Sequence, residues 1–160
     1  MGNDGDGRDP DASDPGDWLD GSESWTGGTP ARASKWHGTH VAGIIGAGGN
    51  NGLGVAGVSW GVQLLPVRVL GRGGGYVSDI ADGLQWAVGA VVDGVSLNTH
   101  PAQVVNMSLG GVGNCPREMQ DAIDEAHARG ALVVVSAGNS ADDVSTTTVA
   151  SCRQVLPVAA

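Results

Sequence analysis

The 160-residue chain contains no phenylalanine and a single tyrosine. A core without Phe has to be filled by aliphatic side chains and close backbone approach, and the 28 glycines fit that requirement. Positive charge is scarce. Eight Lys and Arg stand against 17 Asp and Glu, for a formal net charge of -9. This balance argues against a nucleic-acid partner, because phosphate contacts need clustered cations. It suits solubility, and it suits calcium. Long apolar runs are missing as well. None reaches the roughly 18 residues that a bilayer-spanning helix needs, so no membrane partner is expected. No signal peptide is visible, since Met1 leads straight into GNDGDGRDPD. The two cysteines, Cys115 and Cys152, fit one disulfide in an oxidising compartment. By count alone, two free thiols fit nearly as well.

What is present is organised by periodicity. Residues 1–34 are rich in Asp, Gly, Ser and Pro and read as an acidic loop region. HGTHVAGIIGA predicts a short helix beginning at His37, with Val41, Ile44 and Ile45 on one face. VQLLPVRVL predicts a buried strand with an irregularity at Pro66. Ile80, Leu84, Ala87 and Val88 predict a helix over 78–89, capped by Ser78. QVVNMSL predicts a strand. Pro116 opens a helix carrying Met119, Ile123 and Ala126, and Gly130 closes it. ALVVVSA is the continuous apolar run of a buried parallel strand, and QVLPVA near the end predicts another. The alternation over 35–160 predicts an α/β fold, a parallel β-sheet flanked by helices, within one domain over 1–160. Ligands then sit beyond the carboxyl ends of the strands, at Asn106–Gly111 and Ser136–Ser140.

Within KWHGTHVAG, His37 and His40 stand three residues apart and allow three readings. Both can be structural. Both can share a metal ion, although HExxH is absent and no third ligand is obvious. One can be a general base held at a helix start. Elsewhere, GVSWG fits the GxSxG nucleophile elbow around Ser59, but that motif needs a strand before it and a helix after it. GLGVAG fits GxGxxG without a following helix. Asp4, Asp6 and Asp9 in DGDGRD can hold a cation, though the spacing is not that of an EF-hand.

The succession HGTHVAG, NNGLGV, LLPVRVL, GGGY, NMSLGG and VVVSAGNS resembles the subtilisin-like serine proteases, the subtilases, over residues 35–160. The acidic leading stretch and the two cysteines resemble secreted bacterial members. The resemblance implies a peptidase acting on extended peptide or protein substrates. It assigns His37 as general base and His40 to packing toward the sheet. Asn139 matches the oxyanion-hole asparagine, with a turn-capping Asn as the alternative. Ser108, Leu109 and Gly110 match one wall of the pocket for the residue before the cut, and Gly138 matches the facing wall. Gly73, Gly74 and Gly75 match the edge that pairs with substrate by strand addition, which needs free backbone groups. NNGLGV matches a calcium loop, with Asn51 binding through its side chain and Leu53 and Val55 through backbone oxygens. The loop has one residue more ahead of it than the common pattern.

The triad of this family runs Asp, His, Ser along the chain. No strand carrying such an Asp precedes His37, and no GTSMA-like segment follows Asn139. The expectation is a partial catalytic domain that holds the base and the oxyanion donor without the nucleophile. It would be marginal alone, and open to self-association through exposed sheet edges. Three rivals differ in class: a non-catalytic peptide-binding module, an α/β-hydrolase-type esterase using Ser59, and a hydrolase recruiting Ser108.

Overall fold

The computed structural model describes residues 11–22 and 30–159, and the chain divides into two compact units, Met1–Gly75 and Tyr76–Ala160. The second unit contains the sheet. Strands β1 (Val104–Met107), β2 (Leu132–Ser136) and β3 (Val155–Val158) run parallel in the order β1-β2-β3. The register places Met107 opposite Val135 on one side of β2 and Pro157 opposite Val135 on the other. Val133 and Val135 of the central strand are buried. Proline is tolerated in β3 because that strand pairs on one side, among the described residues, and has no ladder on the other to interrupt.

Two helices cover this sheet unit. Helix α2 spans Val77–Ala87 and α3 spans Arg117–Ala128. Met119, Ala122, Ile123 and Ala126 form the buried stripe of α3, at the three- and four-residue spacing that puts side chains on one helical face. Ile80, Ala81, Leu84 and Ala87 do the same for α2. The two stripes pack on each other, and α3 also packs on β2. β1, α3 and β2 thus form a parallel crossover unit. Both helices end in the same way. Gly89 and Gly130 take left-handed φ of 80° and 81°. Gly89 N–H donates to Trp86 O and Ala90 N–H to Gln85 O. Gly130 N–H donates to His127 O and Ala131 N–H to Ala126 O. These are Schellman closures, which satisfy carbonyls that the helix leaves open. Buried Asn98 adds a polar lock, donating through Nδ2 to Trp86 O (3.2 Å) and Ala87 O (2.9 Å).

The first unit contains helix α1, His37–Gly46, in which no residue is fully buried. Ahead of it, Leu19 and Arg32 form an antiparallel bridge through two backbone bonds of 2.8 and 2.9 Å.

The structure corrects three expectations. Residues 62–70 form no strand, and Val62, Leu64, Leu65 and Leu70 are exposed. A strand needs a partner's ladder as well as an apolar sequence, and among the described residues this segment has none. Helix α2 begins at Val77 behind Tyr76, which makes no side-chain cap, so Ser78 lies inside the helix instead of capping it. His40 is exposed rather than packed, and among the described residues its own unit has no strand to lie against α1.

Candidate functional site

A parallel sheet sends the chain out of β1 and β2 at the same end, and that end carries the motif residues Ser108–Gly110 and Gly138–Asn139. Met107 is buried, and Ser108 and Leu109 leave β1 half-exposed. The Ser108 hydroxyl accepts from Asn106 Nδ2 at 2.9 Å, which ties it to its own strand end. β2 runs through Ser136 into Ala137, Gly138 and Asn139. Ala137 N–H donates to Val158 O at 2.9 Å and so extends the β2–β3 ladder by one step. Gly138 then turns the chain at φ 98°, its N–H reaching Ser136 Oγ at 3.2 Å. This turn leaves Asn139 exposed just past the sheet, with its amide in solvent.

Residues that the motifs did not single out lie against both strand-end segments. A Cβ at Gly110 would meet Thr148 O at 3.2 Å, and one at Gly138 would meet Thr147 Oγ1 at 3.4 Å. Val112 and Thr147 form an antiparallel bridge. Thr148 Oγ1 accepts from Gly111 N at 2.7 Å and donates to Gly111 O at 3.1 Å. Thr148 N–H donates to Gly111 O, and Gly113 N–H to Thr146 O, both at 2.8 Å. A 3-10 turn over Val144–Thr146 starts this segment, with Asp143 accepting from Ser145 N. The bonds to Ser145 hold the Asp143 carboxyl below its ordinary value. The Cys115–Cys152 disulfide closes the far side. The one sequence signal for this buttress was the hydroxyl run STTT, whose side chains compete readily for backbone partners.

In the first unit, His37 is the first residue of α1 and is exposed. Trp36 before it holds a left-handed backbone, φ 53° and ψ 35°. Lys35 N–H donates to Asp17 Oδ1 at 2.7 Å, and Arg32 Nη1 pairs with Asp17 Oδ2 at 2.9 Å. The Lys35 amide, above all, holds the Asp17 carboxyl below its ordinary value, with the Arg32 charge adding to the effect.

Other predicted residues are less simply placed. Gly71 and Gly74 close a tight turn by exchanging backbone bonds of 2.9 and 3.2 Å. Gly74 therefore has its N–H and its C=O engaged within the chain. A Cβ at Gly75 would collide with Val69 O. Asn51 makes a local turn, donating to Gly48 O at 3.1 Å and accepting from Leu53 N at 3.0 Å. The Leu53 and Val55 carbonyls accept no hydrogen bond among the described residues. With Asn51 Oδ1 the loop offers three oxygens, where calcium takes six to eight. No group of three or more His, Cys, Asp or Glu comes together among the described residues. Asp4, Asp6 and Asp9 lie outside them. Ser59 sits in a turn, with neither a strand before it nor a helix after it, so the nucleophile-elbow reading fails on geometry.

With this geometry in place, comparison with known proteins is informative. The model of the subtilase family matches residues 3–160. The extracellular protease of Xanthomonas campestris is 53% identical over 157 residues, covering 98% of this chain and 27% of that protein. The extracellular basic protease of Dichelobacter nodosus is 52% identical over 160 residues, covering 98% of this chain and 26% of its own length. Among solved structures, a protease of Pseudoalteromonas arctica superposes with a TM-score of 0.92 at 49% identity, over 97% of this chain and 45% of that one. The chain thus spans about a quarter of the length of these curated relatives.

Proposed function

The chain belongs to the subtilase family, and from that premise we propose that it supplies the general base and the oxyanion donor of a serine endopeptidase that hydrolyses peptide bonds in proteins. The observation that carries the reading is the strand-end turn Ser136–Asn139. It leaves Asn139 exposed at the sheet end where α/β folds bind ligands.

In this reading His37 takes the proton of a serine hydroxyl as that oxygen attacks the scissile carbonyl. It then returns the proton to the leaving amine. Asn139 donates to the oxygen that becomes negative in the tetrahedral intermediate. Ser108, Leu109 and Gly110 face Gly138 across the pocket for the residue before the cut. Gly73, Gly74 and Gly75 take the strand-addition role, Gly74 once its turn bonds to Gly71 open. No serine of this chain lies in a GTSMA-like segment, so the reading places the nucleophile and the orienting Asp outside these 160 residues. The parent protein is secreted, in keeping with two relatives named as extracellular proteases. A structural calcium is held in part by Asn51, Leu53 and Val55, with its remaining ligands from elsewhere or from water.

The test is a chimera in which residues 3–160 replace the matching segment of the Xanthomonas protease. It is assayed on a chromogenic tetrapeptide anilide. The reading expects turnover. A well-folded chimera that binds the peptide without cutting it would favour the peptide-binding module instead.

A further inference from the structure

The segment ahead of α1 is held more firmly than a surface loop requires. Asp17 grips both ends of a short stretch, Arg32 through its guanidinium and Lys35 through its backbone amide. Trp18 N–H donates to Ser34 Oγ at 3.2 Å, on the residue between them. Leu19, buried, bridges Arg32 by two backbone bonds. Gly16 lies so close that a Cβ there would collide with Ser34. On the outer side, Arg72 stacks over the Trp18 ring at 4.2 Å and donates to Trp18 O at 3.0 Å. Residues 17–19 are therefore bonded to Arg32, Ser34 and Lys35, and these bonds stop two residues short of His37.

The residue in the gap is strained. Trp36 is bulky and yet left-handed, and α1 begins behind it with no side-chain cap. Such a conformation costs of order 1–3 kcal/mol and persists only where the surroundings over-determine it. The Lys35 N–H bond to a carboxylate is the last fixed point before the strain, and charge-assisted bonds to backbone amides are among the stronger ones.

We propose that Asp17 is a positioning residue for His37: by holding the Lys35 amide and the Arg32 guanidinium it fixes Trp36 in its left-handed turn and so sets the direction in which the first residue of α1 projects. The proposal rests on the reading of His37 as the general base. Asp17 makes no contact with substrate in this account and acts through the backbone.

The test uses the 160-residue chain, isotopically labelled, with amide exchange and the His37 ring resonance as readouts and His37→Ala to assign the ring. In Asp17→Ala, exchange at the Lys35 amide should rise roughly ten- to a hundredfold, the span expected for losing a bond to a charged group. The His37 ring resonance should move to the position of an unstructured histidine. Asp17→Asn keeps an acceptor for Lys35 but loses the ion pair, and it should restore the ring resonance. A role confined to the Arg32 pair would not be rescued by Asn. Exchange across α3 reports whether each variant is folded; should Asp17→Ala unfold, Asp17→Asn alone must still hold both signals. An unchanged His37 resonance in folded Asp17→Ala overturns the proposal, and so does failure of Asn to rescue it. Loss of the base assignment would show separately, as retained turnover in the His37→Ala chimera.

Discussion

Asn139 and Ile123 mark two kinds of residue whose loss should read out differently. Asn139 is exposed and supports nothing, so Asn139→Ala should leave the melting curve unchanged. In the active chimera it should lower kcat by roughly 100- to 1000-fold with little change in KM, the loss seen when a subtilisin loses its oxyanion donor. Steady-state kinetics decide this. Ile123 lies in the buried stripe of α3 and is fully buried. Ile123→Ala should cost about 2–5 kcal/mol in urea unfolding while leaving the strand-end turn intact. Asp17 adds a pH dependence at this scale. Its folded pKa is lowered below 3.8, so its contribution is complete above the unfolded value. It is lost as pH falls through the lowered folded pKa. Stability measured against pH should therefore fall below about pH 4 in the parent and fall less steeply in Asp17→Asn.

At the scale of elements, the two helix closures allow a paired comparison. Gly89 and Gly130 have nearly the same left-handed φ. A Cβ at Gly130 meets nothing within 4 Å, whereas one at Gly89 would lie 2.8 Å from Pro101 Cγ. Gly130→Ala should cost about 1–2 kcal/mol, the left-handed penalty alone. Gly89→Ala should cost more, read as a larger drop in the urea midpoint at unchanged slope. The Cys115–Cys152 disulfide spans 37 residues, including α3 and β2. On chain-entropy arguments its loss costs about 3–4 kcal/mol. The Cys115→Ser, Cys152→Ser chain should melt correspondingly lower, and reducing agent should lower the parent by a similar amount.

The same elements show what the sequence made legible. Helix α3 was readable because its apolar period, the Pro before it and the Gly after it all agree, and each signal is local. β2 was readable because a continuous apolar run such as LVVV marks a strand of a parallel sheet, although only Val133 and Val135 of it are buried here. The segment 62–70 was misread because its apolar residues signal a strand while its partner is a tertiary fact. The proposed roles of His37 and Asn139 rest on ordered motifs. The Asp17 grip on Lys35 was not legible, since it joins positions 18 apart with no shared pattern. The Thr148 bond to Gly111 was hidden for the same reason, joining positions 37 apart.

Across the whole molecule, order is unevenly spread between the units. Buried side chains of the second unit include those of α2, α3, β2 and the segment Val149–Cys152, whereas residues 51–56 and 58–66 are exposed throughout. Limited proteolysis should therefore cut within 51–66 well before it cuts within 117–136, as mass analysis of the first fragments would show. An acidic chain of net charge -9 should remain soluble while this happens. The central claim for the molecule is that one particular histidine of KWHGTHVAG performs the chemistry. It is tested most directly by turnover of the tetrapeptide anilide in the chimera bearing His37→Ala beside the chimera bearing His40→Ala. The account predicts that His37→Ala removes turnover by about a millionfold, down to the background, as loss of the base does in a catalytic triad. It predicts that His40→Ala stays within about tenfold of the parent, because an exposed side chain outside the chemistry carries little transition-state energy. Turnover retained without His37, or lost with His40 alone in a folded protein, would contradict it.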